Sequence, residues 1–337
     1  MKVRNSNIEI LRVIFMFLIL VNHVYGHGSG LNLKWIYSLG SEWDTAWNLA
    51  LDSLCKLGVT GFIFISGYFG IRTTKKSLAH ILLIPFFYTL ILSIAFKHLG
   101  FHEIINLIFA FNGWWFVSCY VFIMLLSPFI EEGIKKIKGR IFLIIVMGML
   151  VYTYVMNSLG KVDSHDIILL LTVYMTARYL KLYPQSCIAS KMRMGGVYAF
   201  VLIALIPVAI EQIGWNTDKL MPYVFQNNNI LLLIADYWII YNCDKHAIYN
   251  RYINKIAAGS LAIYLVTDYP DVRDFLDPML LPYVLKVYGL IIIVGLCVGI
   301  LIIDMVRAWI FRLEIWNTIV NNIESCVRQK QDRHQSQ

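Results

Sequence analysis

Charge is what this chain has least of. Asp, Glu, Lys and Arg make up only 15% of its 337 residues, against 58% hydrophobic residues and a mean hydropathy of +0.64. A soluble globular domain carries about 25% charged and about 45–50% apolar residues, so the composition excludes an ordinary soluble fold. Signs of other classes are missing too. The six cysteines (Cys55, Cys119, Cys187, Cys243, Cys297 and Cys326) are scattered with no CxxC pair, a spacing that offers neither a metal site nor a disulfide framework. The first apolar segment contains Arg12, and no A-x-A-like site follows it, so it is not read as a cleaved signal peptide. No soluble domain is expected at either end, which argues against a membrane sensor. No internal repeat suggests the inverted halves of a secondary transporter.

What is present is a succession of apolar segments. Ten spans are read, at 8–25, 51–70, 79–96, 104–130, 141–158, 165–182, 195–213, 228–242, 256–269 and 280–306. The eighth and ninth are short, as suits tilted helices or helices buried among the others. Basic residues collect on the cytoplasmic side of membrane proteins. Here 21 of the 29 Lys and Arg fall in the N-terminus, 71–78, 131–140, 178–194, 243–255 and the C-terminus, and six fall in the other set of loops. The expectation is therefore an all-α, polytopic membrane helical bundle of about ten transmembrane helices with both termini cytosolic. One transmembrane domain covers 1–312, and a polar cytosolic tail covers 313–337. The longest loop, at 26–50, faces outward with the aromatic-rich "WIYSLGSEWDTAW". The net charge of +8 follows from the loop bias and needs no nucleic-acid partner.

Ionisable residues inside spans are costly and mark functional candidates. Arg12 and His23 are separated by eleven residues, about 20° past three full turns, so they share one face about 16 Å apart along the axis. Phe15, Ile19 and Asn22 lie on or near that face. One reading has Arg12 snorkelling to headgroups and His23 in the outer interface. The other has a cavity with an anion-binding mouth at Arg12 and an acid/base histidine at its floor. The second span, "GVTGFIFISGYF", carries Gly58, Gly61, Ser66 and Gly67, small residues that permit close helix approach. Arg72, Lys75 and Lys76 follow it, as an ordinary positive-inside loop or as a phosphate clamp. Trp114 and Trp115 suit an aromatic belt. Asp236, in "LLLIADYWII", lies near mid-membrane and needs a partner, His23 or a basic group elsewhere. Asp268, Asp271 and Arg273 face outward, where they touch a polar acceptor or solvate a loop.

The stretches "IEILRVIFMFLILVNHV", "GVTGFIFISGYF", "WWFVSCYVFIMLLSP" and "IAAGSLAIYLVTDYPDVR", in that order, make the chain resemble the integral-membrane acyltransferase-3 family. Its members O-acylate surface polysaccharides, lipopolysaccharide, peptidoglycan and other acceptors. The resemblance implies an acyl-CoA donor on the cytosolic side and an acceptor reached through the membrane. The family's first-helix histidine falls on His23 and its arginine on Arg12. Two departures stand out. His80 lies near where an arginine is expected before Pro85, and Thr267 stands where the ninth-span motif often ends in histidine.

The expectation is thus an O-acyltransferase, acetyl being the commonest group, acting on a bacterial surface polysaccharide or its lipid-linked precursor at the cytoplasmic membrane. Catalytic candidates are His23, either as the base that takes the acceptor's proton or as the carrier of the acyl group itself, and Asp236. Donor-binding candidates are Arg12, Arg72, Lys75 and Lys76, with Asn22, Ser66 and Trp115 as further cavity residues. Acetyl-CoA or another acyl-CoA is a co-substrate, its arm lying along the first helix, and no permanently bound cofactor and no metal are expected. The rival is a polysaccharide exporter or flippase. The oligomeric state is not legible.

Overall fold

A computed structural model describes residues 4–26, 42–97, 114–159, 161, 166–213, 227–284 and 287–310. Within them the backbone is helical and contains no strand. That is what lipid dictates, since a helix satisfies its own backbone polar groups where water cannot. The helices are α1 (Ser6–Gly26), α2 (Glu42–Cys55), α3 (Leu57–Phe69), α4 (Lys75–Ala95), α5 (Trp115–Lys136), α6 (Gly139–Ser158) and α7 (Ile167–Leu182). They continue with α8 (Cys187–Ile213), α9 (Ile230–Lys245), α10 (Arg251–Ala257), α11 (Ser260–Thr267), α12 (Pro270–Val284) and α13 (Val287–Ile310).

Among the described residues seven stretches are long and apolar enough to cross a membrane: α1, α2 with α3, α4, α5, α6, α8 and α13. The chain is a multi-pass membrane protein. The sixth, eighth and ninth expected spans fall on α7, α9 and the α10–α11 pair, which are shorter. Of these, α7, α9 and α11 are inner helices, with Leu170, Val173, Tyr174, Leu233, Asp236, Tyr237, Ile263 and Leu265 all fully or nearly fully buried, whereas α10 is largely exposed. Part of the expected outer loop is helical, since α2 begins at Glu42; residues 27–41 lie outside the described residues. So do the first part of the fourth expected span, up to residue 113, and the expected polar tail at 313–337. Arg307, counted among the C-terminal loop charges, is instead buried within α13 and paired with Asp304, Nε to Oδ1 at 2.6 Å. Tyr88 of α4 donates to the same Asp304 at 2.8 Å, which ties α4 to α13.

Helix α1 runs through the middle, packed against α2, α3, α9, α10, α11, α12 and α13. Its contact with α3 is close because α3 is glycine-rich. A Cβ on Gly58 would sit 2.7 Å from the Phe15 carbonyl oxygen, and the Phe15 ring lies directly over Gly61. The start of α1 is clamped to the segment before α10. Ser6 N donates to the Ile248 carbonyl at 2.8 Å, Ser6 Oγ to Asn254 Oδ1 at 2.8 Å, and Asn7 Nδ2 to the His246 carbonyl.

The basic segments of the sequence meet at this same end. Lys181 bonds Asp244 at 2.6 Å, Arg178 pairs with Glu131 at 2.5 Å, and Tyr183 packs on Gly139. The α3–α4 turn is held there too. Gly70 takes φ +73°, open to glycine at little cost, with the Arg178 guanidinium 3.2 Å from where a Cβ would be. Ile71 N donates to Tyr174 Oη at 3.4 Å, Thr73 Oγ1 to the Met124 carbonyl at 2.6 Å, and Thr74 with Ser77 caps α4 reciprocally.

Candidate active site

A cavity of about 660 Å³ opens at the end of the bundle that carries the chain's start. Its mouth is formed by Arg4, Glu9 and Arg12 from α1 and the residues before it, and by Arg72, Thr74 and His80 from the α3–α4 turn and α4. Inward, its walls are Phe62 and Ser66 of α3, Phe116, Val117 and Tyr120 of α5, and Ser260 and Leu261 of α11. The clamps on Ser6 and on the Gly70–Thr74 turn hold these side chains in place.

Two of the expected donor residues, Arg12 and Arg72, share this mouth. The side chains of the other two, Lys75 and Lys76, lie outside the described residues. Arg12 does not stand alone: its Nη1 donates to Glu9 Oε1 at 2.7 Å, and Arg4 Nε lies 3.8 Å from the same oxygen. Glu9 is buried, so two guanidiniums converge on one carboxylate and the mouth keeps a positive excess. Ser66 lines the cavity, its hydroxyl donating to the Phe62 carbonyl at 3.2 Å. Trp115 sits at the first turn of α5, packed edge-on against Phe116 at 5.9 Å.

His23 is not part of the cavity wall, and neither are Phe15 and Ile19, which lie between it and Arg12 on α1. The expected polar stripe is interrupted because that face of α1 is filled by the glycines of α3. The cavity instead runs between α3, α5 and α11. Tyr264 of α11 connects its inner end to the histidine, its ring 5.6 Å from that of Phe116 and 5.7 Å from that of His23. The Tyr264 hydroxyl is buried beside Asp268 and the Phe116 backbone N–H, but within full hydrogen-bond geometry of neither.

Among the described residues, the α11 C-terminus and the residue after it supply polar contacts to His23. Its Nδ1 is 3.2 Å from Thr267 Oγ1 and its Nε2 is 4.0 Å from Asp268 Oδ1. Arg273 Nη1 lies 3.6 Å from the same Asp268 oxygen. Asn22, next in sequence, turns to α2, where its Nδ2 donates to Asp52 Oδ1 at 2.6 Å. Asp236 is fully buried on α9 with Thr60 of α3 as its polar neighbour. The contacts described for His23 come from Thr267, Asp268 and Tyr264, not from Asp236.

Glu9, Tyr264 and Thr267 are the residues that sequence reasoning left without a role. Glu9 had a local signal, three residues before Arg12 and hence on its face, and Thr267 was marked only by its place at the end of the ninth-span motif. Among the described residues no cluster of His, Cys, Asp or Glu is arranged to hold a metal ion.

A family model described as an acyltransferase domain, that of the acyltransferase-3 family, matches residues 5–305. That range takes in every residue described for this site except Arg4. No curated protein and no solved structure matches the chain significantly.

Proposed function

The chain belongs to the acyltransferase-3 family, and from that premise we propose that it is an O-acyltransferase. It moves an acyl group, acetyl by preference, from a cytosolic acyl-CoA to a hydroxyl of a bacterial surface polysaccharide or its lipid-linked precursor. The protein resides in the bacterial cytoplasmic membrane with its arginine-bearing mouth toward the cytosol. One observation carries the reading: a cavity of about 660 Å³ with Arg12 and Arg72 at its mouth ends one aromatic ring away from His23. The volume is in the range of pockets that take small ligands, about 300–1,000 Å³. Coenzyme A has phosphates at one end and a thioester at the other, joined by a thin arm, and the site offers a matching order of groups. Arginines and His80 face the phosphates, Phe62, Phe116 and Tyr120 flank the arm, and His23 stands about 16 Å along α1 from Arg12.

In this reading His23 is the general base. It accepts the proton of the acceptor hydroxyl as that oxygen bonds to the thioester carbonyl carbon; the C–S bond then breaks, and the departing thiolate takes the proton. Arg12 and Arg72 bind the donor and take no part in the bond changes. Tyr264 lies where the thioester must pass between the cavity and His23.

The test uses membranes from cells lacking other such enzymes, supplied with labelled acetyl-CoA and total cell glycan, with wild type and His23→Ala at matched protein level. Label entering glycan with wild type alone is the expected result. Equal labelling by both would remove His23 from the chemistry. Glycan export that depends on the protein while no label is transferred would replace acyl transfer with transport.

A further inference from the structure

A neutral imidazole has one N–H and one basic nitrogen, and a base must turn the basic one to its substrate. The surroundings of His23 decide which is which. Its Nδ1 faces Thr267 Oγ1 at 3.2 Å. That hydroxyl has already placed its only hydrogen, donating to the Ile263 carbonyl one turn back in α11 at 2.7 Å. It therefore has only lone pairs to offer His23, and Nδ1 is the nitrogen that carries the hydrogen.

We propose that Thr267 is a positioning residue that fixes His23 as the Nδ1–H tautomer, and that Asp268, beside it, stabilises the imidazolium formed when Nε2 takes a proton. The inference rests on the proposal that His23 is the base of acyl transfer. In the opposite tautomer the Nε2 hydrogen would point toward Asp268 and no basic nitrogen would face that side. In the Nδ1–H tautomer the proton from the acceptor hydroxyl arrives on Nε2, 4.0 Å from Asp268 Oδ1, and leaves from there to the thiolate. The Nδ1–H stays on Thr267 throughout. Arg273, 3.6 Å from the same carboxylate oxygen, keeps Asp268 in place. His23, Thr267 and Asp268 are 8%, 2% and 6% exposed. With so little water between them, a carboxylate beside a forming positive charge is screened less than at the surface. One short corner of chain, the last residue of α11 and the one after it, thus sets both the tautomer and the field at Nε2.

Thr267→Val removes the acceptor while keeping the shape, and Thr267→Ser keeps the acceptor. Both are compared with wild type and Asp268→Asn in the labelled acetyl-transfer assay, reading kcat and KM for acetyl-CoA separately. Expected is a fall in kcat of roughly ten- to a hundredfold for Thr267→Val, part of the about 10²–10⁴-fold that a general base supplies. KM for acetyl-CoA should stay within about twofold, because the donor mouth is untouched, and Thr267→Ser should keep most of the wild-type kcat. Asp268→Asn should lower kcat in the same way. If Thr267→Val does not accumulate in the membrane, Thr267→Cys, a weak acceptor of similar shape, takes its place with the same expectation. Wild-type transfer matched by Thr267→Val, or equal losses in the Val and Ser variants, would overturn the tautomer role while leaving acyl transfer standing. Absence of transfer by the wild type itself would overturn the acyl-transfer reading and this inference with it.

Discussion

Arg12 reaches the cavity with a partner already in place. Glu9 Oε1 lies 2.7 Å from its Nη1 and 3.8 Å from Arg4, so the guanidinium is aimed before any ligand arrives and spends less freedom on binding one. If Arg12 holds a phosphate of the donor, Arg12→Ala should raise KM for acetyl-CoA about tenfold, or about 1.4 kcal/mol, with kcat little changed. Initial rates over a range of acetyl-CoA would read this, and an unchanged KM would take Arg12 out of donor binding. The sequence offered Asp236 as a partner for His23 and read Asp268 only as an outward-facing residue; the structure reverses the two. Asp236 sits beside Thr60 in the α3–α9 contact, and Asp268 sits by Nε2. Asp236→Asn, nearly the same in shape, should therefore keep transfer within about threefold, where replacing a catalytic carboxylate costs far more; loss as deep as that of His23→Ala would return Asp236 to the chemistry. That Arg12 and His23 sit on one helix was legible because helical periodicity is local. Thr267 was not: it meets His23 across 244 residues of sequence, and no local pattern announces such a contact.

At the scale of elements, the glycines of α3 show what a pattern does and does not tell. "GVTGFIFISGYF" reads correctly as a helix made for close approach, but the sequence does not say to what. The partner is α1, and the approach puts Phe15 against Gly58 and Gly61. That packing fills the face between Arg12 and His23 and displaces the cavity toward α5 and α11. A Cβ on Gly58 would lie 2.7 Å from a backbone oxygen that cannot rotate away. Gly58→Val should thus force α1 and α3 apart and destabilise the protein by about 1–3 kcal/mol, as overpacking does. It should also lower activity, because α1 carries both Arg12 and His23. Thermal unfolding in detergent measures the first effect, and an unshifted midpoint would contradict the contact. The short inner helices were the hardest to bound from sequence. The residues of α11 are apolar on nearly all sides, so periodicity says little, and burial in protein lets it stop well short of a membrane's thickness.

For the whole molecule, composition and loop charge outlined the bundle without any contact being known. The segments that carry the basic excess also converge, through the pairs Ser6–Ile248, Lys181–Asp244 and Arg178–Glu131. In the proposed orientation, which follows the positive-inside rule, that end is cytosolic, the cavity mouth opens where acyl-CoA is found, and His23 lies toward the opposite face. Cys187 offers a built-in test, since it is exposed and begins α8 beside the Tyr183–Ser186 turn at that same end. In a variant retaining Cys187 with the other cysteines replaced by serine, a membrane-impermeant maleimide should leave intact cells unlabelled and should label the protein once the membrane is opened. Labelling in intact cells would place the mouth outside. The donor could then not be cytosolic acyl-CoA, and the order of groups from Arg12 to His23 would have to serve a substrate arriving from the other side.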